Sequence, residues 1–186
     1  KKLTLTSGPF DFSSTHPQGG GETTTTPVRC EIEIQQGATI TGGTFNGEVS
    51  NNQGGNITNG TFEGEVINNA GGEISGGTFK GTVLNGNGTI FGGTFAGSVE
   101  NQGSVTGGVF NGNAKPTGVT GVYPITVDAP SPDAKIKKVN DVSAHWAPYA
   151  YAGTIVTITA DTEIFSLNGK PIGGGDYDSE YPDTNN

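Results

Sequence analysis

The stretch I-T-G-G-T-F-N-G-E-V, from Ile40 to Val49, is the first of five similar units in this chain. Its aliphatic first residue recurs at intervals of 17, 17, 16 and 15 residues, and the phenylalanine five positions later keeps the same intervals. The aliphatic column consists of Ile40, Ile57, Ile74, Ile90 and Val105, and the aromatic column of Phe45, Phe62, Phe79, Phe95 and Phe110. Because the two columns share their spacings, all five units have one register.

Two further columns complete the first four units. A valine follows each phenylalanine by four residues, and an asparagine follows each valine by two. These columns are Val49, Val66, Val83 and Val99, and Asn51, Asn68, Asn85 and Asn101. Helical-hairpin repeats need about 33 to 47 residues, and the abundant Gly and Asn of each unit disfavour helix. The repeat therefore predicts an all-β fold with a short β-solenoid of about five coils.

Stacked coils place identical side chains above one another at a spacing of about 4.8 Å. The apolar columns are expected to fill the lumen, and the asparagines to form an internal amide ladder that satisfies backbone groups at a corner. Pairs such as Gly42-Gly43 and Asn59-Gly60 precede each phenylalanine. They predict a second corner with positive φ, where Asn is the next best residue after Gly.

Composition divides the chain into parts. All ten prolines lie outside residues 38–114, and every tyrosine and the single tryptophan lie beyond Gly121. We therefore expect N-terminal strands and a cap in 1–37, the solenoid in 38–114 and a linker in 115–122. A small C-terminal β-sandwich-like domain with an acidic tail is expected in 123–186. The cap is expected because a solenoid exposes an unpaired strand edge at each end.

The C-terminal third contains Y-P-I-T-V from Tyr123, Y-A-G-T-I-V-T-I-T-A-D from Tyr151 and F-S-L-N-G-K from Phe165. Strand patterns dominate these segments, including one from Gly153, and Asn168-Gly169 is typical of a hairpin turn. They resemble the internalin B-repeat and related Gram-positive and Bacteroidales surface repeats. The resemblance implies an extracellular module, often repeated in tandem, that serves as a spacer or an adhesive domain. The solenoid block is similar to short β-solenoid arrays of secreted bacterial proteins.

Charge and composition limit the classes of partner. The net charge is −9, and no basic stripe is present to neutralise phosphates, which argues against nucleic acid. No apolar run approaches the roughly 20 residues of a membrane-spanning helix. The chain contains no methionine, even at position 1, so we expect it to be part of a longer multidomain chain. Cys30 is the only cysteine, and we interpret it as a small buried apolar residue.

Candidate binding residues are aromatic and acidic. Trp146, Tyr149 and Tyr151 lie in H-W-A-P-Y-A-Y, and Tyr123 could join them in stacking on sugars or docking a peptide. Core packing is the alternative role for Trp146. Glu48 and Glu65 occupy adjacent coils and are candidate calcium ligands. The same carboxyl pair could also support glycoside hydrolysis, although a solvated acidic pair is the simpler interpretation.

These observations favour a non-catalytic secreted or cell-surface bacterial module that acts as an adhesin or a structural spacer. The alternative is a carbohydrate-binding or carbohydrate-active β-helix domain. We expect no cofactor, apart from calcium at the glutamates, and a host or microbial glycan or a surface protein as partner. Nucleic-acid binding and membrane insertion are not expected.

Overall fold

The computed structural model describes residues 2–13, 15–17, 23–25, 27–69, 71–111, 115–128, 136–140, 142–143, 148–160, 166–167 and 170–171. All regular structure in these ranges is β, and parallel strands stack into a solenoid of about five turns. The predicted fold class is therefore confirmed. Within the described residues, no helix has the length and hydrophobicity needed to cross a membrane.

Each full turn contributes one short strand to each of three sheets, which we name after their inward-facing column. The Ile sheet contains β2 (Gly8–Asp11), β6 (Ala38–Gly42), β9 (Asn56–Ile57), β12 (Glu73–Ile74), β15 (Thr89–Ile90) and β18 (Ser104–Val105). The Phe sheet contains β7 (Thr44–Phe45), β10 (Thr61–Phe62), β13 (Thr78–Phe79), β16 (Thr94–Phe95), β19 (Val109–Phe110), β24 (Tyr149–Tyr151) and β20 (Val122–Pro124). The Val sheet contains β1 (Lys2–Leu5), β5 (Glu31–Ile34), β8 (Val49–Asn51), β11 (Val66–Asn68), β14 (Val83–Asn85) and β17 (Val99–Asn101).

The apolar columns fill the lumen in register. Ile57 pairs with Ile74, Phe62 with Phe79 and Val66 with Val83, and the same matching holds through the array. The five phenylalanine rings stack with centroids 4.8 to 5.0 Å apart and interplanar angles of 7 to 11°. All five rings are buried, so their burial and stacking account for much of the stability of the core.

The asparagine column forms the predicted amide ladder. The side-chain Nδ2 of each of the first three asparagines donates to the Oδ1 of the next, over 2.7 to 2.8 Å. The same Nδ2 groups also donate to backbone carbonyls of a following coil, for example from Asn51 to Glu73. The first acceptor, Asn51 Oδ1, has no hydrogen-bond partner among the described residues, because Ile34 of β5 holds the ladder position in the preceding turn.

Glycine adopts positive φ at the corner before each phenylalanine. The second residue of each pair does so, from Gly43 to Gly108, with φ between 104° and 125°. This part of the prediction is confirmed. Asn59 itself does not adopt positive φ; its side-chain Oδ1 instead accepts a hydrogen bond from the Gly60 backbone N–H over 2.8 Å. Asn therefore serves this corner as a hydrogen-bond acceptor.

A second glycine column, which the sequence analysis did not single out, lies two residues after each phenylalanine. A Cβ on Gly64 or Gly81 would collide with the carbonyl oxygen of the equivalent glycine in the preceding coil. Cys30 occupies the same column at the N-terminal end, since a Cβ on Gly47 would collide with its carbonyl oxygen. Close backbone approach between coils thus requires glycine here.

The N-terminal residues add a further rung to the stack. Strand β1 pairs in parallel with β5, and β2 with β6, while Val28 forms an isolated parallel bridge to Phe45. Phe12 packs edge-on against Phe45, with ring centroids 5.4 Å apart, and so covers the first ring of the lumen. Strands β3 (Thr15–Pro17) and β4 (Thr23–Thr25) form a small antiparallel hairpin between β2 and Val28.

The C-terminal part continues the Phe sheet. Strand β24 pairs antiparallel with β19 of the last coil, and β20 pairs antiparallel with β24. Val122, Val119 and Tyr151 pack against the solenoid core at this end. On the opposite side of the sheet, Val109 and Ile125 belong to a second buried cluster. Strand β20 begins at Val122, the last residue of the predicted linker.

Two small antiparallel sheets complete the described C-terminal part. One contains β23 (Val142–Ser143), β22 (Ile136–Val139) and β25 (Ile158–Ala160), and the other β21 (Val127–Asp128), β26 (Ser166–Leu167) and β27 (Lys170–Pro171). Strands β26 and β27 flank the predicted hairpin turn at Asn168-Gly169, which lies outside the described residues. The strand predicted from Gly153 begins only at Ile158, because Gly153 has φ +82° and Thr154 N–H closes a turn onto Tyr151.

Candidate binding surfaces

The three tyrosines predicted to form one surface lie on two faces of the Phe sheet. Tyr149 is paired with Phe110, and with Tyr151 it packs against the solenoid core. Tyr123 is paired with Ala150 and therefore points to the other face, where 58% of its surface is exposed. Trp146 and the acidic tail lie outside the described residues. A ligand-binding role for the four aromatic residues stays a prediction.

Tyr149 has a second contact that limits access of a ligand to its ring. The Lys115 ammonium lies 4.8 Å from the centroid of the Tyr149 ring, within the range of a cation–π interaction. Lys115 belongs to the predicted linker, and the neighbouring Pro116 is buried. Tyr149 thus helps to hold the linker segment against the end of the stack, and Tyr123 is the more accessible of the two rings.

The predicted calcium ligands lie on the outer face of the Val sheet. Glu48 and Glu65 immediately precede the paired residues Val49 and Val66, so they occupy adjacent rungs. The Glu48 carboxylate accepts a hydrogen bond from the Ser50 hydroxyl over 3.1 Å, while Glu65 is exposed. Within the described residues, no group of three or more His, Cys, Asp or Glu side chains is arranged to hold a metal ion. Calcium binding by this pair stays a prediction.

The same face continues as an acidic surface toward the N-terminus. Lys2 lies between Glu31 and Glu33, with its Nζ 3.3 Å and 3.2 Å from their carboxylate oxygens. Hydrogen bonds to Glu33 and then Glu31 raise the pKa of the Lys2 ammonium above its usual value. Lys2 is exposed and the two glutamates are partly exposed, so the contacts stabilise the fold only slightly, but they place charge on the edge strand β1. Charged edge strands resist pairing with other chains.

One further carboxylate lies where the Ile sheet meets its first corner. Hydrogen bonds from the Ser13 hydroxyl and from the Ser13 backbone N–H hold the pKa of Asp11 below its usual value. A carboxyl group whose pKa is lowered in the folded protein stabilises the fold at pH values above its ordinary pKa. This contribution is lost as the pH falls through the lowered pKa. Asp11 therefore fixes the turn that leads out of β2.

The structure also reveals an exposed aromatic residue that the sequence analysis missed. Phe91 follows the lumen residue Ile90 directly, and 51% of its surface is exposed on the outside of the Ile sheet. The equivalent residues of the other coils are Thr41, Thr58, Ser75 and Thr106. Phe91 could have been found in the sequence as the one aromatic residue in a column of hydroxyl side chains.

Asn111 is a buried polar residue at the end of the array. It occupies the outward position that Asn46, Glu63, Lys80 and Ala96 hold in the other coils, yet it is only 1% exposed. Neither atom of its side-chain amide has a hydrogen-bond partner within the described part of the chain. In contrast, the equivalent Glu63 and Lys80 are partly exposed and form an ion pair over 2.8 Å.

No protein-family model, curated protein or solved structure matched this chain in the comparisons. The resemblance of the C-terminal segments to bacterial surface repeats consequently stays a prediction.

Proposed function

We propose that this chain is a non-catalytic module of a secreted or cell-surface bacterial protein, where it acts as a structural spacer or an adhesin. The observation that carries this proposal is the seven-stranded Phe sheet, which runs without interruption from β7 in the first coil to β20 in the C-terminal part. A spacer needs such continuity, because tension applied at one end must pass to the other through paired strands.

The solenoid supplies a rod of defined length. With strands about 4.8 Å apart, five turns extend roughly 20 to 25 Å, and each turn is held to the next on three sides by backbone hydrogen bonds. Tandem copies in a longer protein would extend the rod and would present several binding faces at once. Such an arrangement raises avidity without tighter individual contacts.

The proposal of a non-catalytic role is supported by the surroundings of the candidate acidic pair. A glycosidase needs one carboxyl group kept protonated and a second kept ionised by different environments. Glu65 is exposed on an outer sheet face, and Glu48 is bonded to a serine hydroxyl. Neither environment resembles the apolar pocket that holds a catalytic acid protonated.

The spacer role is tested by pulling the chain from its two ends in an atomic force microscope, within a polyprotein of well-characterised domains. We expect the solenoid to resist as one mechanical unit and to lengthen in a single large step. Phe79→Ala should lower the unfolding force, whereas Phe91→Ala, in the next coil but on the outside, should leave it unchanged. Gradual lengthening without a defined step would contradict the proposal.

A carbohydrate-binding or carbohydrate-active β-helix is the alternative function. The exposure of two aromatic side chains, Phe91 and Tyr123, favours it, because aromatic rings that remain accessible in a folded protein can stack on sugars. Saturable binding of a glycan would favour this alternative or the adhesin role, and release of reducing ends from that glycan would favour the carbohydrate-active form.

A further inference from the structure

The outward column after each lumen aliphatic residue of the Ile sheet consists of hydroxyl side chains except at Phe91, and in its first three members the hydroxyl donates to backbone. The Oγ1 of Thr41 donates to the carbonyl of Phe10 over 3.2 Å, and that of Thr58 to the carbonyl of Ile40 over 3.1 Å. Ser75 repeats the pattern to Ile57 at 3.5 Å. Phe91 replaces this small bonded hydroxyl with a half-exposed ring that belongs to neither buried cluster.

No side chains project from the glycine surface beside the Phe91 ring. Gly92 follows Phe91, and glycine occupies the same place in the coils on either side, at Gly76 and Gly107. A Cβ at any of these three glycines would collide with a carbonyl oxygen of the preceding coil, so the close approach of coils keeps side chains away from this strip. The Phe91 ring therefore borders a strip of backbone without side chains, which is partly exposed at Gly76 and Gly92 and buried at Gly107.

The same face is almost free of charge. The outward residues that precede the aliphatic column are Thr39, Asn56, Glu73, Thr89 and Ser104. Glu73 is thus the one charged residue on the five Ile-sheet strands β6, β9, β12, β15 and β18 and on the residues that directly follow them, all of which the structure describes. Asp11 lies at the end of the adjacent strand β2. In contrast, the outer face of the Val sheet carries Glu31, Glu33, Glu48, Glu65 and Glu100. Glu73 is paired with Thr89 and so lies one rung from Phe91. A face with so few charges, all of them acidic, on a protein of net charge −9 matches an uncharged ligand and disfavours polyanions.

We propose that the outer face of the Ile sheet around Phe91 binds an uncharged polysaccharide. The apolar C–H face of a pyranose ring packs against the Phe91 ring, and sugar hydroxyls donate to the oxygens of Thr58 and Ser75, whose own hydrogens bond to backbone. The side chains of Asn56, Thr89 and Ser104 can both donate to and accept from the sugar. The bare glycine strip lets an extended chain lie close to the sheet. This inference rests on the adhesive half of the proposed function and assigns it a face and a ligand class.

The experiment is affinity electrophoresis of the whole chain in gels that contain hydroxyethyl cellulose, xyloglucan or yeast mannan, with polygalacturonate as the charged control. At least one neutral polysaccharide should retard the wild-type chain, and polygalacturonate should not. Phe91→Ser, which restores the small hydroxyl residue of the column, should raise the dissociation constant about tenfold or more. Tyr123→Ser is the matched control, since it removes the other aromatic ring that is exposed among the described residues and should leave the retardation unchanged.

Several results would overturn the inference. One is absence of retardation by all three neutral polysaccharides, and another is full retention of binding by Phe91→Ser with an unchanged melting temperature. Loss of binding in Tyr123→Ser alone would move the site to the C-terminal tyrosines and leave the adhesive role intact. If the Phe91→Ser variant instead has a lower sedimentation coefficient than the wild-type chain, the face contacts a second copy of the chain and not a polysaccharide. Pulling measurements test the spacer role separately, because they need no ligand.

Discussion

Phe79 illustrates what one position in the lumen contributes. Its ring lies between Phe62 and Phe95, with centroids 4.8 Å away on both sides, and it is completely buried. The neighbouring rings are themselves held in register by paired strands, so they cannot move into a space left by truncation. Loss of the ring therefore removes buried area and also leaves a cavity in a dry interior.

We expect Phe79→Ala to reduce the free energy of unfolding by about 3 to 5 kcal/mol. Phe91→Ala is the matched control, because Phe91 lies in the next coil but faces outward, and surface substitutions usually change stability by less than about 0.5 kcal/mol. Equilibrium unfolding in urea measures both values. A loss below about 1 kcal/mol for Phe79→Ala would be inconsistent with the stacked register.

Individual residues also show how far the sequence could be interpreted. The amide ladder was predictable, because Asn51, Asn68, Asn85 and Asn101 recur at a fixed distance from the valine column. The unpartnered Asn51 Oδ1 was not predictable, since it depends on the pairing of β8 with β5 and so on Ile34, which lies outside the recognisable repeat. Phe91 was not predicted as an exposed ring, because the position after each aliphatic residue belongs to none of the four recurring lumen columns.

Among the elements of the fold, the corner between the asparagine and the aliphatic columns absorbs the variation in repeat length. The next aliphatic residue follows the asparagine by six residues after Asn51 and Asn68, by five after Asn85 and by four after Asn101. All other spacings within a unit are constant. Positive φ at Gln53, Gly54 and Gly71 occurs in the two longer corners. The strands can therefore stay in register while this one corner is shortened.

The outward threonine column shows how a neighbouring element changes the residue that a strand requires. Thr44, Thr61 and Thr78 are partly exposed on the Phe sheet, whereas Thr94 is buried and its Oγ1 accepts a hydrogen bond from Asn140 over 3.1 Å. In the fifth coil the column changes to Val109, which is fully buried in the second cluster with Ile125 and Val139. Docking of the C-terminal part explains this change of residue.

Reciprocal substitutions test that explanation. Val109→Thr buries a hydroxyl in an apolar cluster and should reduce stability by about 1 to 3 kcal/mol. Thr78→Val, two coils away on the same column, should change stability by less than about 0.5 kcal/mol, because its side chain faces solvent in part and valine favours β-structure. Thermal or urea unfolding would measure the pair, and equal effects of the two substitutions would contradict the docking.

The C-terminal strands were the least predictable elements. Apolar alternation predicted strands in Y-P-I-T-V from Tyr123 and in G-T-I-V-T-I-T-A from Gly153, and the structure forms only part of each, in β20, β21 and β25. The alternation could not show that Tyr149–Tyr151 would add to the edge of the solenoid. That pairing joins residues about forty positions apart and depends on the edge that β19 leaves unpaired. Short-range patterns carry no information on such a contact.

At the scale of the whole molecule, the repeat array and the C-terminal strands share one sheet and one core. Hydrogen bonds link the two parts directly, including one from Gly108 N–H to the Thr154 hydroxyl over 3.3 Å. Val122 and Tyr151 extend the lumen cluster beyond its last phenylalanine. We therefore expect loss of either part to weaken the other.

Cooperative unfolding is the corresponding prediction. Far-ultraviolet circular dichroism reports mainly the solenoid, and near-ultraviolet tyrosine signals report the C-terminal part, since all five tyrosines lie beyond Gly121. Both signals should change at one urea concentration, and Phe79→Ala should move both midpoints together. Two separated transitions would show that the parts unfold independently and that the shared sheet does not couple them.

The variable corner also has an evolutionary consequence. Each coil stacks through the same columns of side chains on the coil before it and on the coil after it. Duplication of one unit of about seventeen residues would therefore insert one coil without altering either end of the stack. Gene-level gain or loss of whole units could then adjust the reach of the protein in steps of roughly 4.8 Å, while small deletions would be tolerated where the chain turns from Asn to Ile. Length is thus a heritable variable that selection can change independently of the terminal structures.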